Sequence, residues 1–377
     1  MNFIPYGKQL LDQDDISAVV DVLNSDYLTT GPSVKAFEEA LSEYCNVKYT
    51  IAVANGTAAL HLASLVLLKE NDKVLTTPNS FLATSNAILY VNAKPIFVDI
   101  MEDGNIDLEL CEEALKNDSS IKAIYAVAFS GNMVNQEKLK YLRETYNIKI
   151  LEDCAHAIGA QDNGIKAASC TNSDISILSF HPVKHMTTGE GGAITTNSKE
   201  LYEKMLILRG HGMVKTPDMK PWEYEMRELG FNYRITDMQC TLGLSQLKKL
   251  DSFIKRRIEL VKNYDNAFKD SIVTPLYMYE GKSSYHLYVV QVNFANLNIN
   301  KEELFNQLKE KNIGIQIHYI PINKQPYYKS LGYGNESTPL MDNYYEKCFS
   351  LPMYPKMTDD EQAYVIKTLL EVLNEVH

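Results

Sequence analysis

The chain has 377 residues, of which 45% are hydrophobic, and a formal net charge of −11. This length can bury a large core and suits two domains better than one. The acidic balance argues against nucleic acid or an anionic membrane as a partner, because both attract basic surfaces. An anionic small-molecule substrate is still possible if local positive charge holds it.

No targeting or membrane segment is predicted. Residues 1–8 lack the basic start and long apolar stretch of a signal peptide, and no run approaches transmembrane length. The six cysteines are scattered without a C-x-x-C pair, which is typical of reduced thiols in the cytoplasm. We therefore expect a cytoplasmic protein, and the sequence predicts no metal site.

Helix and strand patterns alternate through the first two-thirds of the chain. Ile16, Val19, Val20 and Leu23 fall on one face of a short amphipathic helix, and Ser33 is a candidate N-cap for a second helix. Short apolar runs predict strands at residues 49–54, 74–76, 95–99, 121–127, 148–152 and 175–178. Apolar strands separated by helices predict an α/β fold with a mostly parallel sheet that is covered on both faces.

The pattern changes around residue 236 and predicts a smaller α+β domain. The predicted elements there are a long helix at 238–258, strands at 288–292 and 314–319, a helix near 301–311 and a final helix from residue 359. We therefore expect a large domain at 1–240 and a small C-terminal domain at 241–377.

Two reactive side chains each close a buried strand. Asp153 ends one strand, and Lys184 lies in the turn after another, with a glycine-rich run at 189–192 just beyond it. Ligands of such sheets bind at the carboxyl ends of strands. An amine that forms a Schiff base and a carboxylate that keeps a pyridine nitrogen protonated are what pyridoxal 5′-phosphate (PLP) requires.

Each of these features also has a simpler interpretation. A lysine after a proline in a turn is ordinarily a solvated surface residue, and Asp153 is a candidate N-cap for a following helix. The glycine run lacks dinucleotide or P-loop spacing and precedes a strand, so we interpret it as a turn near Lys184. Because the flanking strand is apolar, burial should lower the lysine pKa below about 10.4 and free the neutral amine.

The segment SFHPVKHMTTGEGG at 179–192 resembles the Schiff-base motif of the DegT/DnrJ/EryC1/StrS family of sugar aminotransferases. Other landmarks of that family follow in order over nearly the whole chain, namely NGTAAL at 55–60, EDCAHA at 152–157, GFNYR at 230–234, DM at 237–238 and HY at 318–319. The resemblance implies a fold-type-I PLP-dependent transferase with PLP as cofactor and a homodimer as the assembly.

The resemblance also implies roles around the cofactor ring. Lys184 would carry the Schiff base, and Asp153 would contact the pyridine nitrogen. His156 would lie beside the phenolic oxygen, although it could be a core histidine. Ala155 would pack on one ring face and Phe81 on the other, although Phe81 without the family would be interpreted as core.

A phosphate site is predicted at a helix N-terminus. A strand is followed by Gly56 and by a helix that opens at Thr57 and Ala58, and the N–H groups of such a turn bind anions. The resemblance adds the hydroxyl of Ser179 and the side chain of Asn232, which would reach the phosphate from a second subunit. Each active site would then be built from two chains.

The substrate contacts are predicted by position alone, and each could equally be structural. The candidates are Tyr6, Thr30, Arg234, His318 and Tyr319. Within the family, the segments at 103–107, 130–131, 209–213 and 283–288 are most similar to members of the pseudaminic acid pathway. That similarity implies a UDP-linked 4-keto-6-deoxy-N-acetylhexosamine as substrate and glutamate as the amino donor.

Other functions remain to be weighed. The same residues would serve another nucleotide-linked keto sugar. A non-catalytic regulator with this fold would have no reason to keep Asp153, Ser179, Lys184 and Asn232 together. Related sugar dehydratases have histidine in place of the lysine, so Lys184 argues against that activity. A nicotinamide-dependent enzyme would need a glycine fingerprint that the sequence lacks.

Overall fold

The computed structural model describes residues 2–278 and 281–374. The helices are α1 (Gln13–Leu23), α2 (Pro32–Cys45), α3 (Gly56–Leu67), α4 (Leu82–Tyr90), α5 (Leu108–Asn117), α6 (Gln136–Tyr146), α7 (Lys199–Arg209), α8 (Asp237–Leu247), α9 (Leu250–Phe268), α10 (Lys301–Glu310), α11 (Pro326–Ser330), α12 (Pro339–Lys347) and α13 (Asp359–Asn374). The strands are β1 (Tyr49–Val53), β2 (Lys73–Thr76), β3 (Lys94–Phe97), β4 (Ile121–Val127), β5 (Lys149–Asp153), β6 (Gln161–Asp162), β7 (Ile165–Lys166), β8 (Ile175–Ser179), β9 (Gly192–Thr196), β10 (Met213–Val214), β11 (Glu225–Met226), β12 (Thr274–Pro275), β13 (Tyr288–Gln291) and β14 (Cys348–Leu351).

Among the described residues, a seven-stranded sheet has the order β1-β9-β8-β5-β4-β2-β3. Strands β8, β5, β4, β2 and β3 are parallel neighbours, whereas β9 is antiparallel to both β1 and β8. The strands alternate between two apolar layers, since Tyr125 packs with the α3 cluster and Ile124 with the cluster of α5 and α6. The prediction of a mostly parallel sheet covered on both faces is confirmed.

The C-terminal part has its own sheet and core. Strands β12, β13 and β14 pair antiparallel, and Val290 and Phe349 pack there with Leu304 of α10 and Leu369 of α13. This arrangement is the α+β pattern that was expected. The boundary between residues 240 and 241 stays a prediction.

The helix that we predicted at 238–258 is wrong as one element. Thr236 caps α8 in a capping box with Gln239, and the chain breaks at Lys248 and Lys249 before α9 begins. Helix α8 packs on α1 and α2, whereas α9 packs on α13 and β12. The periodicity continued across the break, which is why the sequence suggested one helix.

Two further local predictions are also wrong. Gly31 rather than Ser33 is the N-cap of α2, because Pro32 suits the first helical position. The N–H of Ser33 donates to Oδ1 of Asp237 at 2.9 Å. The strand predicted at 314–319 is not formed, because within this segment only Gln316 forms a bridge, to Ser350, while the preceding Ile313 bridges Ile4.

The apolar face of α1 is largely uncovered in this chain. Ile16, Val20 and Leu23 are exposed, and the buried residues of the helix are Asp15 and Val22. The amphipathic pattern therefore does not mark packing onto the core of the same chain.

Membrane spans and disulfide bonds are two further features that the sequence analysis addressed. In the described part of the chain, no helix is long and apolar enough to cross a membrane. The six cysteines are buried and free of disulfides.

Candidate active site

The strand order brings distant turns into contact. Because β9 lies between β1 and β8, the turn after β1 faces the start of β9. A Cβ on Gly192 would lie 2.6 Å from the backbone O of Asn55, so only glycine fits there. A Cβ on Gly56 would lie 3.2 Å from Cβ of Ser179 and 3.4 Å from its Oγ. The first turn of α3 and the Ser179 hydroxyl thus lie side by side.

The start of α3 is suited to an anion. Asn55 is the N-cap, and its Oδ1 accepts from the N–H of Ala58 at 2.8 Å. The N–H of Ala58, which we predicted to bind the phosphate, is therefore already engaged by Asn55. Gly56 and Thr57 also belong to the first turn, where N–H groups have no intrahelical partner. The first turn carries no acidic residue, so the positive end of the helix dipole is not compensated there.

Lys184 lies in the turn after β8, where its backbone N–H donates to the O of His181 at 2.9 Å. Burial lowers the pKa of the Lys184 amine to about 8, and attraction to Asp153 partly opposes this effect. A useful fraction of the amine is therefore neutral near pH 7 to 8. The solvated-surface interpretation of this lysine does not agree with its desolvation.

Asp153 ends β5, the parallel neighbour of β8. Its Oδ2 accepts from Oγ1 of Thr84 at 2.6 Å, and its Oδ1 accepts from the N–H of Ala155 at 3.1 Å. Burial raises the pKa of the carboxyl, while these bonds and Lys184 oppose the rise. The following residues form turns rather than a helix, so the N-cap interpretation of Asp153 is wrong. Sequence reasoning missed Thr84.

The rings of His156, Tyr319 and Phe81 form an aromatic group close to one another. Nε2 of His156 is 3.1 Å from the hydroxyl of Tyr319, and the Tyr319 ring centroid is 6.4 Å from that of Phe81. Phe81 is 60% exposed, so its face is free to stack on a planar ligand. The N–H of Tyr319 donates to Oδ1 of Asn79 at 3.2 Å, which fixes the segment; Asn79 was not anticipated as a site residue.

His318 is held inside the protein. Its Nδ1 lies 2.8 Å from Oγ of Ser350, its ring is 5.4 Å from that of Tyr6, and burial lowers its pKa to about 3. These contacts fix the His318 ring in place, and its contact with substrate stays a prediction. Tyr6 is half-buried beside it and is the more accessible of the two candidates.

The predicted phosphate and substrate residues after β11 lie near the end of β1. The O of Tyr233 accepts from the N–H of Ala54 at 2.9 Å, which places the flanking Asn232 and Arg234 close to the α3 turn. Asn232 is exposed and Arg234 is half-buried. No carboxylate of the described residues forms an ion pair with Arg234, so its charge is available to an anion.

Thr30 lies farther along the same surface. It is exposed, with a left-handed φ of 55°. Its neighbour Thr29 forms a bridge with Thr236 just before α8. This bridge brings Thr30 near the segment that contains Arg234, two residues before Thr236.

The segments 130–131 and 283–288, which the sequence indicated only through the family resemblance, contact each other next to His156. The N–H groups of Ser284 and His286 donate to the O atoms of Gly131 and Ser130 at 3.0 and 2.9 Å. The His286 ring is 4.3 Å from that of His156. Sequence reasoning missed His286 as a site residue, and its place in the segment 283–288 was the available signal.

The residues present fit PLP. A helix start with free N–H groups next to a hydroxyl suits a phosphate, and a desolvated amine near a buried carboxylate suits the carbonyl and the ring nitrogen. The exposed ring of Phe81 and the small Ala155 suit the two faces of a flat heterocycle.

The comparisons with known proteins agree with this geometry. The model of the DegT/DnrJ/EryC1/StrS aminotransferase family matches residues 9–370. The chain belongs to this family. A Campylobacter jejuni relative, UDP-4-amino-4,6-dideoxy-N-acetyl-beta-L-altrosamine transaminase, is 42% identical over 99% of this chain and 98% of its own length.

Solved structures support the same assignment. Helicobacter pylori PseC, an aminotransferase involved in the biosynthesis of pseudoaminic acid, superposes with a TM-score of 0.93 at 32% identity, covering 99% of this chain and 100% of PseC. The sugar aminotransferase Spr1654 from Streptococcus pneumoniae in its PLP form has a TM-score of 0.90 at 30% identity, with 100% of both chains covered. The predicted family, fold class and enzyme class are confirmed, and the family is PLP-dependent.

Proposed function

We propose that this protein is a PLP-dependent aminotransferase that moves an amino group from glutamate to C4 of a UDP-linked 4-keto-6-deoxy-N-acetylhexosamine. The observation that carries the proposal is the placement of Asp153 at the end of β5 and of Lys184 in the turn after the neighbouring β8, beside the close approach of Gly56 to Ser179. Relatives named as transaminases of UDP-linked amino sugars support the class of acceptor.

The proposed chemistry divides between cofactor and protein. PLP, when bound, supplies a ring that stabilises negative charge at the substrate carbon. The Asp153 carboxylate would pair with the protonated ring nitrogen of PLP. Hydrogen bonds from Thr84 and from the N–H of Ala155 orient this carboxylate. Lys184, with its lowered pKa, would take the proton from Cα of the donor and later deliver a proton to C4 of the sugar.

The substrate side needs positive charge on an acidic protein. A net charge of −11 repels a nucleoside diphosphate unless cations are concentrated where it binds. Arg234 has no acidic partner in the described ranges 2–278 and 281–374 and lies near the α3 turn. We therefore assign the diphosphate to Arg234, with Tyr6, Thr30 and Tyr319 as further contacts.

A homodimer with shared sites belongs to the same proposal. Asn232 is exposed in the single chain, as is the apolar face of α1. An exposed amide near the phosphate turn could serve the site of its own chain or that of a partner. We assign it to the partner's phosphate.

The proposal is tested by assaying purified protein with glutamate and the two C5-epimeric UDP-4-keto sugars. We expect amino sugar from the L-arabino epimer and formation of 2-oxoglutarate in equal amount, because one nitrogen moves per turnover. Faster turnover of the D-xylo epimer would instead indicate a bacillosamine-type substrate. No turnover of any nucleotide-linked keto sugar would favour the regulator.

Arg234→Ala should weaken binding of the sugar nucleotide selectively. Losing one charge-assisted phosphate contact costs about 1.5–3 kcal/mol, or roughly a tenfold or greater rise in KM. The half-reaction with glutamate should stay near normal, and stopped-flow absorbance measures it separately. The exposed Arg227, which pairs with Glu225, provides a matched control as Arg227→Ala. Collapse of the glutamate half-reaction would instead assign Arg234 to the donor carboxylate.

A further inference from the structure

Four histidines surround Lys184 in the interior of the protein. His156, His185, His286 and His318 are all buried. Three of their rings form a continuous column, in which the His185 centroid lies 5.4 Å from His286 and the His286 centroid 4.3 Å from His156. The column runs beside the amine that the proposed function uses as a base.

The hydrogen bonds of the column suit uncharged imidazoles. Nε2 of His185 lies 3.0 Å from the backbone O of Ser284, and a carbonyl can only accept, so that nitrogen carries the proton. Nδ1 of His156, His185 and His286 is buried in each case without a partner among the described atoms. A protonated ring would bury an N–H with no acceptor, which is unfavourable.

Arg257, near the middle of α9, lies beside the column and contacts the backbone of its middle residue, His286. It is 1% exposed, and its Nη1 donates to the backbone O of His286 at 2.9 Å, of Met353 at 3.1 Å and of Tyr285 at 3.3 Å. No carboxylate in the described part of the chain pairs with it. A buried cation without a counter-charge is costly, so its place so near an active site calls for a functional explanation.

We propose that Arg257 is a positioning residue that fixes His286 through its backbone and keeps the histidine column uncharged, so that Lys184 takes up the substrate proton. This inference rests on the proposed function for the role of Lys184. A charged or proton-accepting imidazole beside the amine would compete for the proton that must return to the substrate. A permanent guanidinium charge prevents that competition without providing a second base, because arginine does not release its proton near neutral pH.

The electrostatics agree with this arrangement. Burial holds the pKa of His156, His185 and His286 well below the ordinary range, and the charge of Lys184 lowers all three further. Arg257 adds to the lowering at His185 and His286, and His318 adds to it at His156. The three rings should therefore stay neutral throughout the range where Lys184 titrates, near pH 8.

The test follows the histidine rings by NMR in the purified full-length protein with ring-labelled histidine, with signals assigned by single His→Asn variants. In the wild type, His156, His185 and His286 should show no midpoint above about pH 6. Arg257→Met should raise the midpoint of His185 or His286 by about one unit or more, since a unit corresponds to about 1.4 kcal/mol. Arg257→Lys, which keeps the charge, should restore the wild-type behaviour.

The outcomes separate the proposal from its rivals. Unchanged titrations in a folded Arg257→Met protein overturn it, and so does an Arg257→Lys protein that behaves like Arg257→Met, because the arginine would then only anchor the backbone. If Arg257→Met does not fold, the wild-type titration decides: a midpoint between pH 6 and 8 for any of the three rings refutes the proposal. None of these readouts needs the sugar substrate, so a failure of the proposed function would be seen separately in the turnover assay.

Discussion

Lys184→Ala is expected to lose the absorbance of the Schiff base between this lysine and PLP, and to lose amino transfer, while the protein stays folded. The amine would be the covalent anchor of PLP and the base of both half-reactions, so turnover should fall by roughly 10²–10⁴-fold. The Lys184 amine is desolvated, and its attraction to Asp153 is the one favourable charge interaction that the substitution removes. We therefore expect the variant to fold. The visible spectrum and turnover with glutamate measure the two effects.

A matched control is Lys199→Ala at the start of α7, where the lysine is exposed and pairs with Glu203. This variant should keep the spectrum and activity of the wild type, because surface ion pairs contribute little. Circular dichroism of both variants checks folding. Borohydride reduction followed by mass spectrometry should place the trapped cofactor on the peptide that contains Lys184. An unaltered spectrum in Lys184→Ala would end the assignment of the lysine.

Mixing Lys184→Ala with Asn232→Ala protomers should partly restore activity, to a level above that of either variant alone. If Asn232 reaches the partner's phosphate, a hybrid dimer has one site with both lesions and one site with neither. Random exchange then gives intact sites at about a quarter of the total. Turnover measured before and after subunit exchange, with each variant alone as reference, tests this expectation.

The same experiment distinguishes the two positions available to Asn232. The bond between Tyr233 and Ala54 brings Asn232 near the phosphate turn of its own chain, and in that case every hybrid site would carry a lesion. Activity would then not recover. Full activity of a monomer at low concentration would likewise contradict a shared site.

The sequence predicted the parts of the fold that depend on local patterns. Apolar runs bounded by turns located the strands of the large sheet, and a short motif around Lys184 indicated the chemistry. Thr84, His286 and Arg257 were missed because their roles depend on contacts between segments far apart in the chain. The break at Lys248 was missed because the apolar period continues from α8 into α9.

The candidate site was predictable in its residue types and less so in its assembly. The prediction of Ser179 as a phosphate ligand rested on resemblance, whereas its closeness to Gly56 follows from the insertion of β9 between β1 and β8. No local pattern indicates that β9 runs antiparallel. His318 was a substrate candidate by position, and its bond to Ser350 became visible only with the fold.

The placement of β9 also bears on how the chain folds during synthesis. Tyr49 at the start of β1 pairs with Thr196 at the end of β9, so β1 cannot complete its ladder until β9 has been made. Contacts between segments so far apart close slowly, because loop-closure entropy must be overcome first. The turn at Gly56 is therefore translated early but takes its final shape late. A cofactor that binds there would bind the completed sheet in preference to the unfolded chain and would stabilise the folded state by mass action.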